Sequence, residues 1–359
     1  MNGPDILASL RANLAQQVQH YISPIPAPLD VSPWLAMALL QKAIRRGHHP
    51  FALQAAATLL QLSPDKLWRR AVSIAFEDIG IADLEIVSLV TASLAGKAFR
   101  AKIGGEWLVA SYLVERMCLA PKCRSADDLL MLSERHPAYE HLRLGLTYGT
   151  IPELLALVRS NAPLPKRALA LWYAVGSDRC PSPQLRTRKG APQTVFDDLC
   201  EAGHPHTLVE VAREGFRRSG QVLCPFVVLL ASQKSEQPAF IEDDDFPPET
   251  MCGSLPSWAL DVYSREGQQA LRRFLGRNCD TARWVRSHVP PVQRIKFLGD
   301  ILFAVEGGLL RNHYRWPLAD ELRRSWAIEC QGPFCPDAGE IMSMLRIDIQ
   351  LLNEERQHV

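Results

Sequence analysis

The chain has 359 residues, 47% apolar and 22% charged, enough for two or three packed units without a disulfide or metal staple. Its net charge of +1 excludes a global field drawing it to nucleic acid or acidic lipid, so any such binding needs a local patch. No uncharged apolar run reaches the ~18 residues of a bilayer span. The N-terminus also lacks a basic flank before an apolar core. A cytoplasmic protein with no membrane partner is therefore expected. The nine cysteines include no C-x-x-C pair; the closest spacings are Cys118/Cys123 and Cys330/Cys335. Free, mostly buried thiols of a reducing compartment are expected, with no metal and no cofactor.

Residues 3–20 place Ile6, Leu7, Leu10, Leu14 and Val18 at helical spacing. Pro24, Pro26 and Pro28 then impose an extended connector, because each ring fixes φ and removes a donor. Ser32 is a natural N-cap with Pro33 at the first helical position. The helix after it is apolar nearly all round and ends in Lys42, Arg45, Arg46 and Gly47, cations in the last turn suiting the helix dipole. Residues 50–62 predict an Ala-rich helix, and Ser63-Pro64-Asp65 opens another in which Arg69 and Arg70 point outward. That helix stops at Glu77-Asp78-Ile79-Gly80-Ile81-Ala82-Asp83, where Gly80 supplies positive φ and Asp83 caps a helix over 84–99. Gly104-Gly105 breaks the chain before a helix over 107–117. Ser125 with Asp128 resembles a capping pair for the next one.

Thr150-Ile151-Pro152-Glu153 reads as a capping box. Further helices are predicted near 152–160, 164–176, 192–202, 206–219 and 221–233, although 222–230 also has strand composition. The intervening loop, 177–192, carries Arg179, Arg186, Arg188 and Lys189 and is expected to be exposed and mobile. Glu242-Asp243-Asp244-Asp245 followed by Pro247-Pro248 marks a surface loop or linker. Beyond it, helices are predicted over 257–264, 265–275, 281–288, 291–306, 317–329 and 336–355. The fold class is all-α: a multi-helix array of packed helix pairs in two or three units. The divisions fall at an N-terminal helix and connector (1–32), a first helical domain (33–135), a helical middle region (136–235), an acidic, Pro-rich linker (236–256) and a C-terminal helical region (257–359).

The order Lys42-x-x-Arg45-Arg46-Gly47, an Ala-rich helix, Arg69-Arg70 with Glu77-Asp78-Ile79-Gly80-x-Ala82-Asp83, then Leu119-Ala120-Pro121-Lys122 resembles the C-terminal helical region of the MgsA/RarA replication-associated recombination ATPases, AAA+ relatives of clamp loaders. That family carries K-S-x-R-G, R-R-…-S-E-D-I-G-x-A-D and L-A-P-K-S stretches at similar spacing. The match spans roughly 34–132. Two departures stand out: no G-x-x-x-x-G-K-[ST] phosphate loop precedes it, and Cys123 replaces the family's usual serine. The resemblance implies a helical module that assembles subunits or docks on replication and repair machinery, without the motor.

Several clusters admit a chemical reading beside a structural one. Glu77 and Asp78 form a carboxylate pair, but at a helix end they fit hydrogen-bond acceptors for backbone or for Arg45, Arg69 or Arg70. The basic pairs Arg45-Arg46, Arg69-Arg70, Arg217-Arg218, Arg272-Arg273 and Arg323-Arg324 are either solvated helix faces or phosphate contacts if they converge. His48-His49 and His204-Pro205-His206 lie in turns without a matched acid or thiolate nearby and are read as non-ligands. Asp261, Arg265 and Glu266, with Glu306 and Gly307-Gly308, are the leading enzymatic candidate, against a helix junction capped by Ser264. Trp172, Trp284, Trp316 and Trp326 stack on bases or anchor the core. The leading expectation is a non-enzymatic homo-oligomer acting with DNA or replication and repair proteins. Its contact residues would be Arg45, Arg46, Arg69, Arg70, Arg186, Arg188 and Lys189, and its structural motif Glu77, Asp78, Gly80 and Asp83. The alternatives are a helical scaffold without nucleic-acid binding and an enzyme built on Asp261, Arg265 and Glu266.

Overall fold

The computed structural model describes residues 3–233, 238–329 and 338–359. Among them the protein is all-α: nineteen α-helices joined by short 3-10 and π turns, with four strands of two or three residues each. Phe240–Glu242 pairs with His313–Arg315, and Met251–Cys252 pairs antiparallel with Leu255–Pro256, Cys252 opposite Leu255. No described helix is long and apolar enough to cross a membrane. The chain forms two compact units, each assembled from three sequence segments: 1–23, 68–241 and 313–330, and 24–67, 242–312 and 331–359.

In the first unit the helix Gly3–Val18 buries Ile6, Leu14 and Val18 against helices Leu84–Ser93 and His206–Ser219. The spacing of those three residues places them on one stripe, which is why the segment needs partners to be stable. Helix Leu164–Val175 is buried from Ala168 onward and lies among Ser125–Arg135, Ile151–Arg159 and Pro192–Glu201. Trp172 packs edge-on to Phe226. Burying a side chain such as Phe226 contributes roughly 1.5–3 kcal/mol relative to exposure. The stretch with strand composition is the helix Leu223–Ala231, whose side chains are buried from Leu223 to Leu230. A helix apolar on all sides suits that central place. Two start signals act as read: Asp83 Oδ1 accepts from the Ile86 amide at 3.0 Å, and Thr150 and Glu153 form the reciprocal box.

In the second unit, helices Pro33–Arg45 and His49–Leu62 pair as a hairpin. Ser32 Oγ accepts from the Leu35 amide at 3.2 Å, as the Ser-Pro start predicts. The unit's other core centres on helix Ala338–Arg356. Its Ile341, Leu345, Ile349 and Leu352, one turn apart, insert among Leu271, Phe274, Val285, Leu298 and Ile301.

Three expectations need correction, and one helix was not expected. The helix over 84–99 is two, Leu84–Ser93 and Lys97–Lys102, because Gly96 adopts a φ of 122° that ends the first. The helix over 257–264 is only a 3-10 turn, Ser257–Ala259. Asp261 breaks it: its Oδ1 accepts from the Tyr263 amide and its carbonyl from the Ser264 amide, a local turn competing with helix. Ser125 is not a cap but lies inside helix Ser125–Arg135, its hydroxyl accepting from the Cys123 thiol at 3.2 Å. The helix Glu140–Leu146 lay unread before the capping box. Cys330, Cys335 and the expected start of the last helix at 336 lie outside the described residues. The seven described cysteines are free thiols, and burial pushes Cys118 up to about 12.

Candidate functional site

The Glu77–Asp83 stretch is an internal joint of the first unit. Helix Pro64–Ile74 widens into a π turn over Ala75–Ile79, then a 3-10 turn over Gly80–Ala82. The widened turn sets Asp78 inward, with 0% exposure. Its carbonyl accepts from the Cys123 amide at 2.9 Å, and its carboxylate lies 3.3 Å from Arg124 Nε. Glu77 stands 3.8 Å from the same guanidinium, and Asp127 pairs with it as well. Gly80 has φ 53°, and a Cβ there would lie 2.8 Å from the Cys123 carbonyl. Lys122 is fully buried and donates to the carbonyls of Cys118 and Ala120 at 2.9 and 2.7 Å. Burial disfavours the Arg124 cation, yet Asp127, Asp78, Glu77 and Asp128 outweigh it and hold it above its ordinary value. Asp128 responds oppositely: burial pushes its carboxyl up to about 7 against the pull of Arg124. Sequence reading missed Arg124 as the cation of this cluster.

The second unit contains a matching device. A π turn over Phe303–Gly307 ends helix Arg294–Leu302 and places Glu306 inside. Both Glu306 oxygens are taken by the buried Arg356, at 3.1 and 2.6 Å. Lys42 Nζ reaches Asp261 Oδ2 at 2.6 Å and the Ala259 carbonyl at 3.2 Å. Arg356 also donates to the Leu260 carbonyl, Arg45 to the Gly307 carbonyl at 2.9 Å, and Arg46 to the Glu306 carbonyl at 3.2 Å. Burial lowers Lys42 from its ordinary value, opposed by Asp261 and Glu306. Burial likewise pushes Arg46, stacked on Phe246 and Trp258, down to about 10. The last-turn cations therefore satisfy buried carboxylates and carbonyls rather than only their own helix end.

This geometry bears on the enzymatic candidate. Asp261 is buried with both oxygens engaged, Oδ2 by Lys42 and Oδ1 by the Tyr263 amide. Glu306 is likewise occupied. Arg265 and Glu266 are exposed on the first turn of helix Arg265–Phe274, which Ser264 caps. The cluster thus separates into a buried lock and a solvated helix start.

The expected mobile loop is anchored. Ser177 Oγ donates to the Arg186 carbonyl at 2.7 Å and accepts from the Arg188 amide at 2.9 Å. The Arg188 guanidinium donates to the carbonyls of Leu146, Thr147 and Gly149, which end helix Glu140–Leu146. Arg186 is exposed and donates to the Tyr148 hydroxyl at 2.6 Å, and Tyr148 is 75% exposed. Lys189 is exposed beside them, and Arg69 and Arg70 are exposed and half-buried on their helix. Arg217 and Arg218 share the Glu214 carboxylate at 2.7 and 2.9 Å. His48 is a cap, its Nδ1 accepting from the Phe51 amide at 3.4 Å. Trp172 and Trp316 are buried; Trp284 stacks on His288 and Phe297, and Arg135 lies over Trp326. Comparison with protein-family models, curated proteins and solved structures found no match.

Proposed function

We propose that this chain is a non-catalytic helical protein that self-associates and works beside DNA replication, recombination or repair machinery. It would correspond to the helical region of the MgsA/RarA ATPases. Support comes from the joint in the first unit: the Glu77–Asp83 stretch, which carries part of the resemblance, closes through Asp78 and Gly80 on Cys123 and Arg124, the residues that follow the Leu119–Lys122 stretch. Their charged groups are mutually satisfied, which suits a packing module rather than a reaction centre. Trp34 is 69% exposed beneath the Lys66 ammonium and offers an anchor for a partner surface. Tyr148, Arg186 and Lys189 offer an aromatic and two cations to a nucleic-acid strand.

Fluorescence anisotropy with labelled single- and double-stranded DNA across a salt series tests the nucleic-acid half. Binding that weakens with salt and falls in the Arg186→Ala/Lys189→Ala variant is expected. Failure to bind even at low salt refutes it. A specific observation favours a second reading, a helical scaffold with no nucleic-acid role: Arg45 is buried, and Arg46 and Arg188 are bonded to carbonyls, which withdraws three of the seven nominated cations from phosphate. Retained self-association without DNA binding would select it.

A further inference from the structure

Helices Pro192–Glu201 and His206–Ser219 hold a set of side chains independent of everything proposed above. His206 and Glu210 stand one turn apart on one face of the second helix, and Cys200 enters from the last turn of the first. The Cys200 sulfur, a His206 ring nitrogen and a Glu210 carboxylate oxygen all lie within 4.8 Å of one another. Zinc bonds of about 2.0–2.3 Å in a tetrahedron separate ligand atoms by about 3.5 Å, so closure needs side-chain movements of about 1 Å. Read from sequence, His206 lacked an acidic or thiolate partner. The helix hairpin supplies both.

Arg213 shares this cluster. Its Nη2 lies 2.8 Å from Asp197 and 3.3 Å from Glu210. A guanidinium drawn into the group marks it as a place that attracts a cation. Yet the Arg213 Nε is buried with no partner among the described residues. Asp197 also gives Arg213 an anchor outside the three ligands, so it can yield Glu210 and keep an ion pair. The start of the N-terminal helix lies close against the carboxylate: a Cβ on Gly3 would lie 2.5 Å from Glu210 Oε2.

We propose that Cys200, His206 and Glu210 form a binding site for a zinc-class divalent cation, with water as the fourth ligand. Thiolate, imidazole and carboxylate make a borderline-soft donor set that suits this ion, and three protein ligands leave one position open. His206 is exposed and Cys200 half-buried, which gives an entry path. On binding, the Cys200 thiol gives its proton to solvent as the sulfur–metal bond forms, and His206 binds as the neutral ring. The two charges of the ion are then matched by thiolate and carboxylate.

The test is a titration of the metal-stripped full chain with cobalt(II) under reducing conditions, followed by zinc displacement. One equivalent and a thiolate-to-cobalt charge-transfer band are expected. Cys200→Ser should abolish the band, and His206→Ala and Glu210→Gln should weaken binding by more than about tenfold, the least that even an outer-shell partner contributes. Arg213→Ala, which removes the competing cation, should bind more tightly. Circular dichroism establishes that each variant is folded. An undiminished band in Cys200→Ser, wild-type affinity in His206→Ala, weaker binding in Arg213→Ala, or a wild-type chain that takes up no stoichiometric cobalt overturns the site.

Discussion

Replacing Asp261 with alanine tests the buried lock of the second unit. Lys42 and Asp261 side chains are 6% and 9% exposed, with nitrogen and oxygen 2.6 Å apart. Without Asp261 the ammonium keeps the Ala259 carbonyl but no salt-bridged carboxylate. Removing one partner of such a pair destabilises by about 3–5 kcal/mol, because the other charge stays buried. Glu306 also attracts Lys42, which places the expected loss near the lower end, about 3 kcal/mol. The Tyr263 amide loses an acceptor too, adding about 1 kcal/mol. Urea unfolding followed by circular dichroism measures the loss. The double variant Lys42→Met/Asp261→Leu should recover most of it, since neither member of the pair then leaves an unmatched charge behind. The pH dependence has a definite sign. Burial lowers Lys42 below its ordinary 10.5, so the folded chain binds fewer protons than the unfolded one and stability rises with pH up to that value. Asp261→Ala lowers Lys42 further, so its deficit shrinks as pH rises towards the ordinary lysine value. A loss under about 1 kcal/mol, or a deficit that grows with pH, would refute the lock.

The Asp128 carboxyl, raised from 3.8 to about 7, favours the folded state in its neutral form. Its contribution is complete at acid pH and is lost as pH climbs to about 7, so Asp128→Asn should flatten the stability profile across that interval in urea titrations. Gly80→Ala forces a side chain into a conformation reserved for glycine and against the Cys123 carbonyl. It should lower stability by about 1–3 kcal/mol in thermal unfolding. Asp83→Ala removes the cap on the Ile86 amide and should cost about 1 kcal/mol in the same assay. Arg188→Ala releases three carbonyls and should make the loop over 178–189 the first site of trypsin cleavage; an unchanged digestion pattern would contradict its anchoring role.

Local signals were legible because each acts within a few residues. Ser32 with Pro33, Asp83 before Leu84 and Thr150 with Glu153 satisfy amides next to them, and sequence alone places them. The buried charges were not legible. Lys42 looked like a last-turn cation, since its partner Asp261 lies far along the chain. Arg45, Arg69 and Arg70 were the nominated partners of Glu77 and Asp78, but Arg124, just past the Leu119–Lys122 stretch, is the cation that reaches Asp78. Glu306 and Arg356 meet only because a π turn rotates the carboxylate inward, and no residue pattern announces such a turn. Arg188 read as a free cation because the carbonyls it serves belong to a helix that was itself overlooked. Cys200 escaped notice beside His206 for a related reason. Helical periodicity relates His206 to Glu210, whereas Cys200 joins them only through the turn between two helices.

Self-association is tested most directly by the mass of the full chain in multi-angle light scattering at micromolar concentration. A single species at an integer multiple of 40.1 kDa, two or greater, is the expected result. A species that stays at 40.1 kDa throughout the concentration range would contradict it.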